Sequence, residues 1–347
     1  MPEGPDPSVV VSRLKEQYSK VLKRVSLDDV RDELSDLEST LNDLPGELDK
    51  ARRRGYEFAA HLSEQIGQLK EEWPEVRTRS EELIKREAAQ LKSASVRLEP
   101  LLKKLGAAAT KPAALATIGD EFEKAVREFD DEVDDAVDRI RAVFESVSKR
   151  AREARNQLYK IDRYLDALEE ATFELNPGET LYLVAKGEWI RSGRGKEDPD
   201  GLFYLTDQRL IFERKEKEGG FLGFGAKKVQ GIEWALPLQA IEEIDSEKKG
   251  FLGGKDIVHI KHRSSEAASP ITIEVKDGLN ANWYAQQLRR AQSGEIDDER
   301  EGGEVTAPAT RPEAPTACEN CGAPFSTPVT ARTTELACEY CGTIVRL

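Results

Sequence analysis

At 347 residues, with 52 Lys+Arg against 66 Asp+Glu and a net charge of −14, the chain is acidic and longer than one ordinary domain. Its 38% apolar residues suffice for cores, but 34% charged residues predict long exposed helical faces and argue against a single globule. No run of about 18 apolar residues occurs, and the opening MPEGPDPSVVVSRLKEQ lacks the basic start and apolar stretch of a secretory leader, so a soluble cytoplasmic protein is expected.

Residues 8–172 read as helix almost throughout, because apolar residues recur at three and four while Gly and Pro are confined to a few positions. Residues 1–26 form a basic amphipathic helix with Val11, Leu14, Tyr18, Val21 and Val25 on one face, suited to packing on the other helices or to lying on a membrane. Breaks are expected at Ser26–Asp29, which has the form of a capping box, at Pro45–Gly46, and in the stretch Leu105–Pro112. A new helix is expected to open at Thr117–Asp120. The clearest seam, Phe144, Val147, Ala151, Ala154, Leu158, Ile161, Leu165 and Leu168, has the coiled-coil period. Two arms, 47–104 and 118–172, then predict a long antiparallel coiled-coil hairpin within 27–172, folded about residue 111 so that i meets 222 minus i. Charge agrees with that register. Residues 120–138 (net −8) oppose 84–102 (net +2), and 139–155 (net +4) oppose 67–83 (net −2). Pro74 and Pro100 must each kink the first arm or begin a new helix. The coiled coil is expected to serve self-association into a homo-oligomer.

At Asn176 the period switches to alternation, and seven strand-like runs follow: ETLYLVAKGEWI, GLFYLTD, RLIFERK, GIEWALPL, IEEIDSE, DIVHIKH and PITIEVK. The helix NANWYAQQLRRAQ closes them, with Trp283, Leu288 and Ala291 expected to face a sheet. Residues 173–292 therefore predict a small β-barrel or sandwich with a C-terminal helix, and the fold class is multidomain α+β. The acidic, Pro-, Gly- and Thr-rich stretch 293–316 reads as a flexible linker to a last module, 317–347.

Gly201-Leu-Phe-Tyr-Leu-Thr-Asp-Gln-Arg-Leu-Ile-Phe212 resembles the hairpin of the GRAM and bacterial PH-like families, where an L-T-x-x-R-L-I-F run marks strand, tight turn and strand. The resemblance implies a PH-like fold over about 173–292 that docks on phospholipid headgroups or peptides rather than catalysing a reaction. The pairs Cys318-Glu-Asn-Cys321 and Cys338-Glu-Tyr-Cys341, each followed by Gly and separated by sixteen residues, resemble a zinc ribbon. Such turns aim two thiolates each at one point, and four soft ligands select zinc. A segment of roughly 30 residues cannot bury enough surface to fold alone, so the metal must supply the folding free energy, of order 10–16 kcal/mol. A redox dithiol fits less well, because neither pair has a βαβ context. The helical region resembles, in outline only, the helical hairpins of phage-shock-type membrane-remodelling proteins.

Two loops repeat one phrase, Gly219-Gly-Phe-Leu-Gly-Phe-Gly-Ala-Lys-Lys228 and Lys248-Lys-Gly-Phe-Leu-Gly-Gly-Lys255. Phe221, Leu222, Phe224, Phe251 and Leu252, flanked by Lys227, Lys228, Lys248, Lys249 and Lys255, suit a wedge into an anionic membrane surface or a local apolar clasp. Arg191, Arg194 and Lys196 stand where PH-like folds gather headgroup-binding bases, but Glu197-Asp-Pro-Asp200 interrupts them. His259 and His262 are expected on opposite faces of a strand, and no residues form a catalytic constellation. The expected function is a non-enzymatic scaffold or adaptor with protein partners, peripheral at the inner membrane face. The alternative is a nucleic-acid or transcription-associated adaptor acting through the ribbon. Net −6 over residues 291–347 has the wrong sign for phosphate contacts and disfavours it.

Overall fold

The computed structural model describes residues 6–192, 198–218, 227–249 and 254–301, and in the C-terminal segment 317, 318, 320, 321, 323, 335–338, 340, 341 and 343–346. The chain divides into two units, residues 1–47 with 63–157, and residues 48–62 with 158–347.

The first unit is helical. Helix α1 (Pro7–Arg24) starts at Asp6, whose carboxylate accepts from the Ser8 N–H at 2.8 Å, and buries Val11, Leu14, Tyr18 and Val21. Its apolar face is therefore spent on packing. Leu27, at φ 57, separates it from α2 (Asp28–Arg53). Val30, Leu34, Leu37, Leu41, Leu44, Leu48 and Ala51, all buried, give α2 an unbroken alternation of four and three. Pro45 lies inside that helix, so the break expected at Pro45–Gly46 is absent. The buried neighbours Leu44 and Leu48 outweigh the ladder bond that proline removes. The chain turns instead at 54–59 and returns as α3 (Ala60–Ser95), a short 3₁₀ turn, and α4 (Glu99–Ala108). Pro74 stays within α3, whereas Pro100 sits in the first turn of α4.

Helix α5 runs unbroken over 58 residues, Pro112–Glu169, with Pro112 at its first position rather than a start at Thr117–Asp120. Arg150 pairs with Glu72 on the expected antiparallel register, and Arg139 with Glu87 at 2.7 Å lies close to it. The helical region is nevertheless three arms rather than two. Arg77 of α3 pairs with Glu38 of α2, while Arg24 reaches Asp130 and Asp134, and Arg141 reaches Glu33. Helices α1 and α2 thus form an arm parallel to α5. The seam from Phe144 to Leu165 is buried within the chain. Among the described residues, no helix is long and apolar enough to cross a membrane.

The second unit carries all seven expected strands: β1 (Leu181–Trp189), β2 (Asp200–Thr206), β3 (Arg209–Glu218), β4 (Lys227–Pro237), β5 (Ile241–Lys249), β6 (Lys255–His262) and β7 (Ile271–Val275). They form one antiparallel sheet in the order β4-β3-β2-β1-β7-β6-β5. The sheet curls because Gly187 of β1 faces Gly201 of β2. A Cβ at these positions would stand 2.4 Å from the Glu274 carbonyl oxygen and 2.1 Å from that of Glu213. Phe203 and Phe212 stack at 4.5 Å, with Trp234 and Trp189 beside them. Helix α6 (Ala281–Ser293) is capped by Asn280 and ends at Gly294, φ 82. It faces the sheet with Tyr284, Ala285, Leu288 and Ala291, whereas Trp283, expected inward, is 41% exposed.

Within the segment read as a linker, residues 293–301 have defined structure. A 3₁₀ turn, Glu295–Glu299, buries Ile296 to 1% exposure, and one apolar anchor suffices to hold an acidic stretch. Farther on, β8 (Glu335–Ala337) and β9 (Ile344–Arg346) pair antiparallel.

Candidate functional site

The two Cys-x-x-Cys turns close in the same way. The Cys318 N–H donates to the Ala323 carbonyl and the Cys338 N–H to the Thr343 carbonyl, both at 2.8 Å. This shared closure, with the β8–β9 pair, brings all four sulfurs within 4.8 Å of one another. Cys318 and Cys341 approach to 3.6 Å, Cys321 and Cys338 to 3.5 Å. A tetrahedron of sulfurs about 2.3 Å from a central ion has edges of about 3.8 Å, so the set fits a single thiophilic cation. Cys318 and Cys338 are buried, Cys321 and Cys341 exposed.

The thiols' proton affinities diverge within the cluster. The Thr343 hydroxyl, 3.1 Å from Cys341 Sγ, and the Thr343 backbone draw that thiol down to about 6. At Cys321 a backbone hydrogen bond from Ala323 lowers the value, but the neighbouring thiols outweigh it and push it up to about 12. Four thiolates this close repel one another, and a dication is the charge that would hold them together. Asn320 lies over the cluster, its Nδ2 donating to Thr343 Oγ1 at 3.0 Å and lying 3.7 Å from Cys341 Sγ.

The described basic residues are not gathered in one place. Strand register puts the β3–β4 tip at the Trp189 end of β1, beside Arg191, and the β5–β6 tip in the opposite direction, towards Leu181. Lys227 and Lys228 open β4 opposite Glu218 and Lys217. Lys248, Lys249 and Lys255 flank the other tip, where Lys255 is paired with Glu274. Phe221, Leu222, Phe224, Phe251, Leu252, Arg194 and Lys196 lie outside the described residues.

At the Trp189 end, Arg191 lays its guanidinium 5.6 Å from the Trp189 ring centroid. Its N–H and that of Ser192 donate to Asp198 Oδ1 at 3.0 and 2.6 Å. Arg214 pairs with Glu216, and Lys276 with Glu188 at 2.9 Å and with Asp200. These cations meet carboxylates of the same chain, which lowers the positive potential an inositol polyphosphate would need. His259 reaches Thr272 and Glu247, while the His262 ring is buried with no hydrogen-bond partner among the described residues.

Sequence reading missed Glu213, a fully buried carboxylate on β3. Its Oε1 accepts from the Thr172 N–H (2.7 Å), Thr172 Oγ1 (2.8 Å) and Gln230 Nε2 (3.1 Å), and its Oε2 from the Tyr204 hydroxyl (3.0 Å). It ties the segment after α5 to three strands. Around it Leu181, Tyr204 and Ile211 pack with Tyr164, Ala167, Leu168 and Phe173. A charged residue directly after the apolar run Leu210-Ile-Phe212 was the available signal.

No known protein family and no curated protein matches the sequence. Similar solved structures include a DUF1696 family protein with a pleckstrin-homology domain from Shewanella loihica, at 18% identity over 34% of this chain and 83% of that one, TM-score 0.22. The Vps36 N-terminal PH domain is similar at 15% identity over 37% of this chain and 92% of that one, TM-score 0.24. The complex of human RhoA, its inhibitor and the DH/PH domain of human ARHGEF11 is similar at 15% identity over 83% of this chain and 94% of that one, TM-score 0.28. Each of the three contains a PH domain.

Proposed function

We propose that the chain is a non-enzymatic adaptor. A helical bundle serves as spacer, a PH-like module docks on a membrane surface, and a zinc-held ribbon takes a protein partner at the inner face of the cell membrane. The observation that carries the reading is the convergence of Cys318, Cys321, Cys338 and Cys341. Four protein ligands leave a bound zinc no open position for water, so the ion would fold and present a surface rather than hydrolyse a substrate. Zinc binding there would order a module too small to hold itself.

Docking of the PH-like module rests on the Gly201–Phe212 hairpin and on the glycine-flanked Phe221, Leu222 and Phe224 beyond Glu218. Because the cations Arg214 and Lys276 are paired, docking would depend on apolar insertion aided by Lys227 and Lys228 more than on a headgroup pocket. Self-association into a homo-oligomer stays part of this reading, through surfaces other than the Phe144–Leu165 seam, which is buried within one chain.

Co-sedimentation of the full chain with phosphatidylcholine vesicles containing phosphatidylserine tests this. Salt-sensitive binding that is lost in Phe221→Ser/Leu222→Ser supports the wedge. Equal binding by the double variant removes the wedge but not membrane docking, whereas no binding by either protein removes membrane docking and leaves a peptide as the module's ligand.

A further inference from the structure

The residues that follow α6 reach back to the turn between α2 and α3. Gly294 reverses the chain, and Ile296 anchors the 3₁₀ turn. The Arg300 side chain, 12% exposed, then lies flat on Phe58, its guanidinium carbon 4.3 Å from the ring centroid. Its nitrogens pair with Glu57, with the buried Asp207, and with Asp297 at 2.8 Å. The next N–H, of Glu301, donates to the Glu57 carbonyl at 2.9 Å, and the Glu301 carboxylate pairs with Arg52. Arg52 in turn donates to the carbonyls of Tyr56 (2.8 Å) and Phe58 (2.6 Å).

The turn that receives these contacts is strained. Residues 54–59 have no regular structure, and Ala59 has φ 63, a conformation that side chains other than glycine rarely adopt. Such a backbone persists only where its surroundings over-determine it. Besides the residues after α6, the sheet supplies a hydrogen bond from the Tyr56 hydroxyl to the Tyr182 carbonyl (3.1 Å) and the edge-on contact of Phe58 with Tyr182 (5.1 Å).

We propose that residues 294–301 are a latch, with Arg300 as its bolt, that holds the α2–α3 elbow in its strained form. Charge makes the release cooperative. Asp207 and Glu57 share the Arg300 cation, so withdrawing Arg300 takes the guanidinium charge from the Asp207 carboxylate, which keeps the hydrogen bond from the Thr180 N–H at 3.0 Å, and favours opening the whole joint over peeling a tail.

Hydrogen–deuterium exchange of the full chain, read by mass spectrometry, tests the latch. In Arg300→Ala, amides of residues 54–62 should exchange at least ~10-fold faster, while peptides covering β2 and β3 keep wild-type protection. Arg300→Lys should fall between, because an ammonium restores the charge without the flat stacking and forked donors. Elbow protection equal to wild type in Arg300→Ala overturns the latch, as does loss spread evenly over the sheet. Should Arg300→Ala not fold, Arg300→Lys decides alone: an increase confined to residues 54–62 supports the proposal, and wild-type protection there overturns it.

Discussion

Glu213 offers a sharp test of how the end of α5 is joined to the sheet, because two substitutions at one atom position give opposite expectations. Glu213→Ala removes the acceptor for the Thr172 N–H, which has no other acceptor in the network. Orphaning that donor costs about 1–3 kcal/mol, and the cavity adds about 1 kcal/mol, so a net loss of about 3 kcal/mol is expected. Glu213→Gln keeps the shape and one carbonyl oxygen. Placed towards Thr172 and Gln230, that oxygen still accepts their hydrogen bonds. The new amide can donate to the Tyr204 oxygen, whose own proton turns to the Ala167 carbonyl at 3.0 Å. Glutamine should therefore cost less than about 1 kcal/mol. At roughly 2–4 °C per kcal/mol for a domain of this size, calorimetry should show Tm falling by about 10 °C in the alanine variant and hardly moving in the glutamine variant. Equal losses in both would mean that the negative charge, not the oxygen geometry, holds the joint. No loss in either would refute the network's role.

Three further outcomes follow from the geometry. Gly201→Ala, which drives a Cβ to 2.1 Å from the Glu213 carbonyl oxygen, should cost about 3 kcal/mol, whereas Gly67→Ala in α3, with nothing within 4 Å, should add about 0.5–1 kcal/mol; urea midpoints distinguish them. The purified chain should carry one zinc by elemental analysis. Chelation or Cys318→Ser should abolish amide protection in residues 317–346 but leave Trp189 and Trp234 fluorescence unchanged, and a chain that keeps that protection without metal would contradict a metal-dependent fold. Burial raises the phenols of Tyr56, Tyr204 and Tyr284, and pushes Tyr182 up to about 12. The folded values lie above the unfolded value of about 10, so this stability is complete below that pH and is lost as pH climbs through about 12. Beyond the contribution of the exposed Tyr159 and Tyr340, tyrosinate absorbance should appear together with loss of circular dichroism, and later in Tyr284→Phe, whose parent hydroxyl has no partner among the described residues; ionisation of the buried phenols well before unfolding would contradict it.

Local patterns carried further than long-range ones. The alternation after Asn176 marked all seven strands, since each hydrophobic–polar repeat needs only its own residues to declare which face is buried. The cysteine tetrad was legible for the same reason: each turn positions two sulfurs by bonds closed within a few residues. The helical arms were legible as helix but not in number. Pro45–Gly46 looked like punctuation, while the real turn at 54–59 contains only Gly55 among strong breakers. The heptad seam of α2 announces a buried stripe without naming its partner.

Composition, period and cysteine spacing by themselves determined that this protein has long helices, a seven-stranded sheet closed by a helix, and a metal-sized cluster of thiols. Those properties depend on interactions between residues near in sequence. Only the tertiary structure decided that the helices form three arms, that the seam is filled within one chain, and that Glu213 and Arg300 are structural pins. Thr172 lies 41 residues from Glu213, and Glu57 lies 243 from Arg300. A carboxylate or guanidinium at such separations is indistinguishable in sequence from a solvated charge until the fold withdraws its water and supplies its partner.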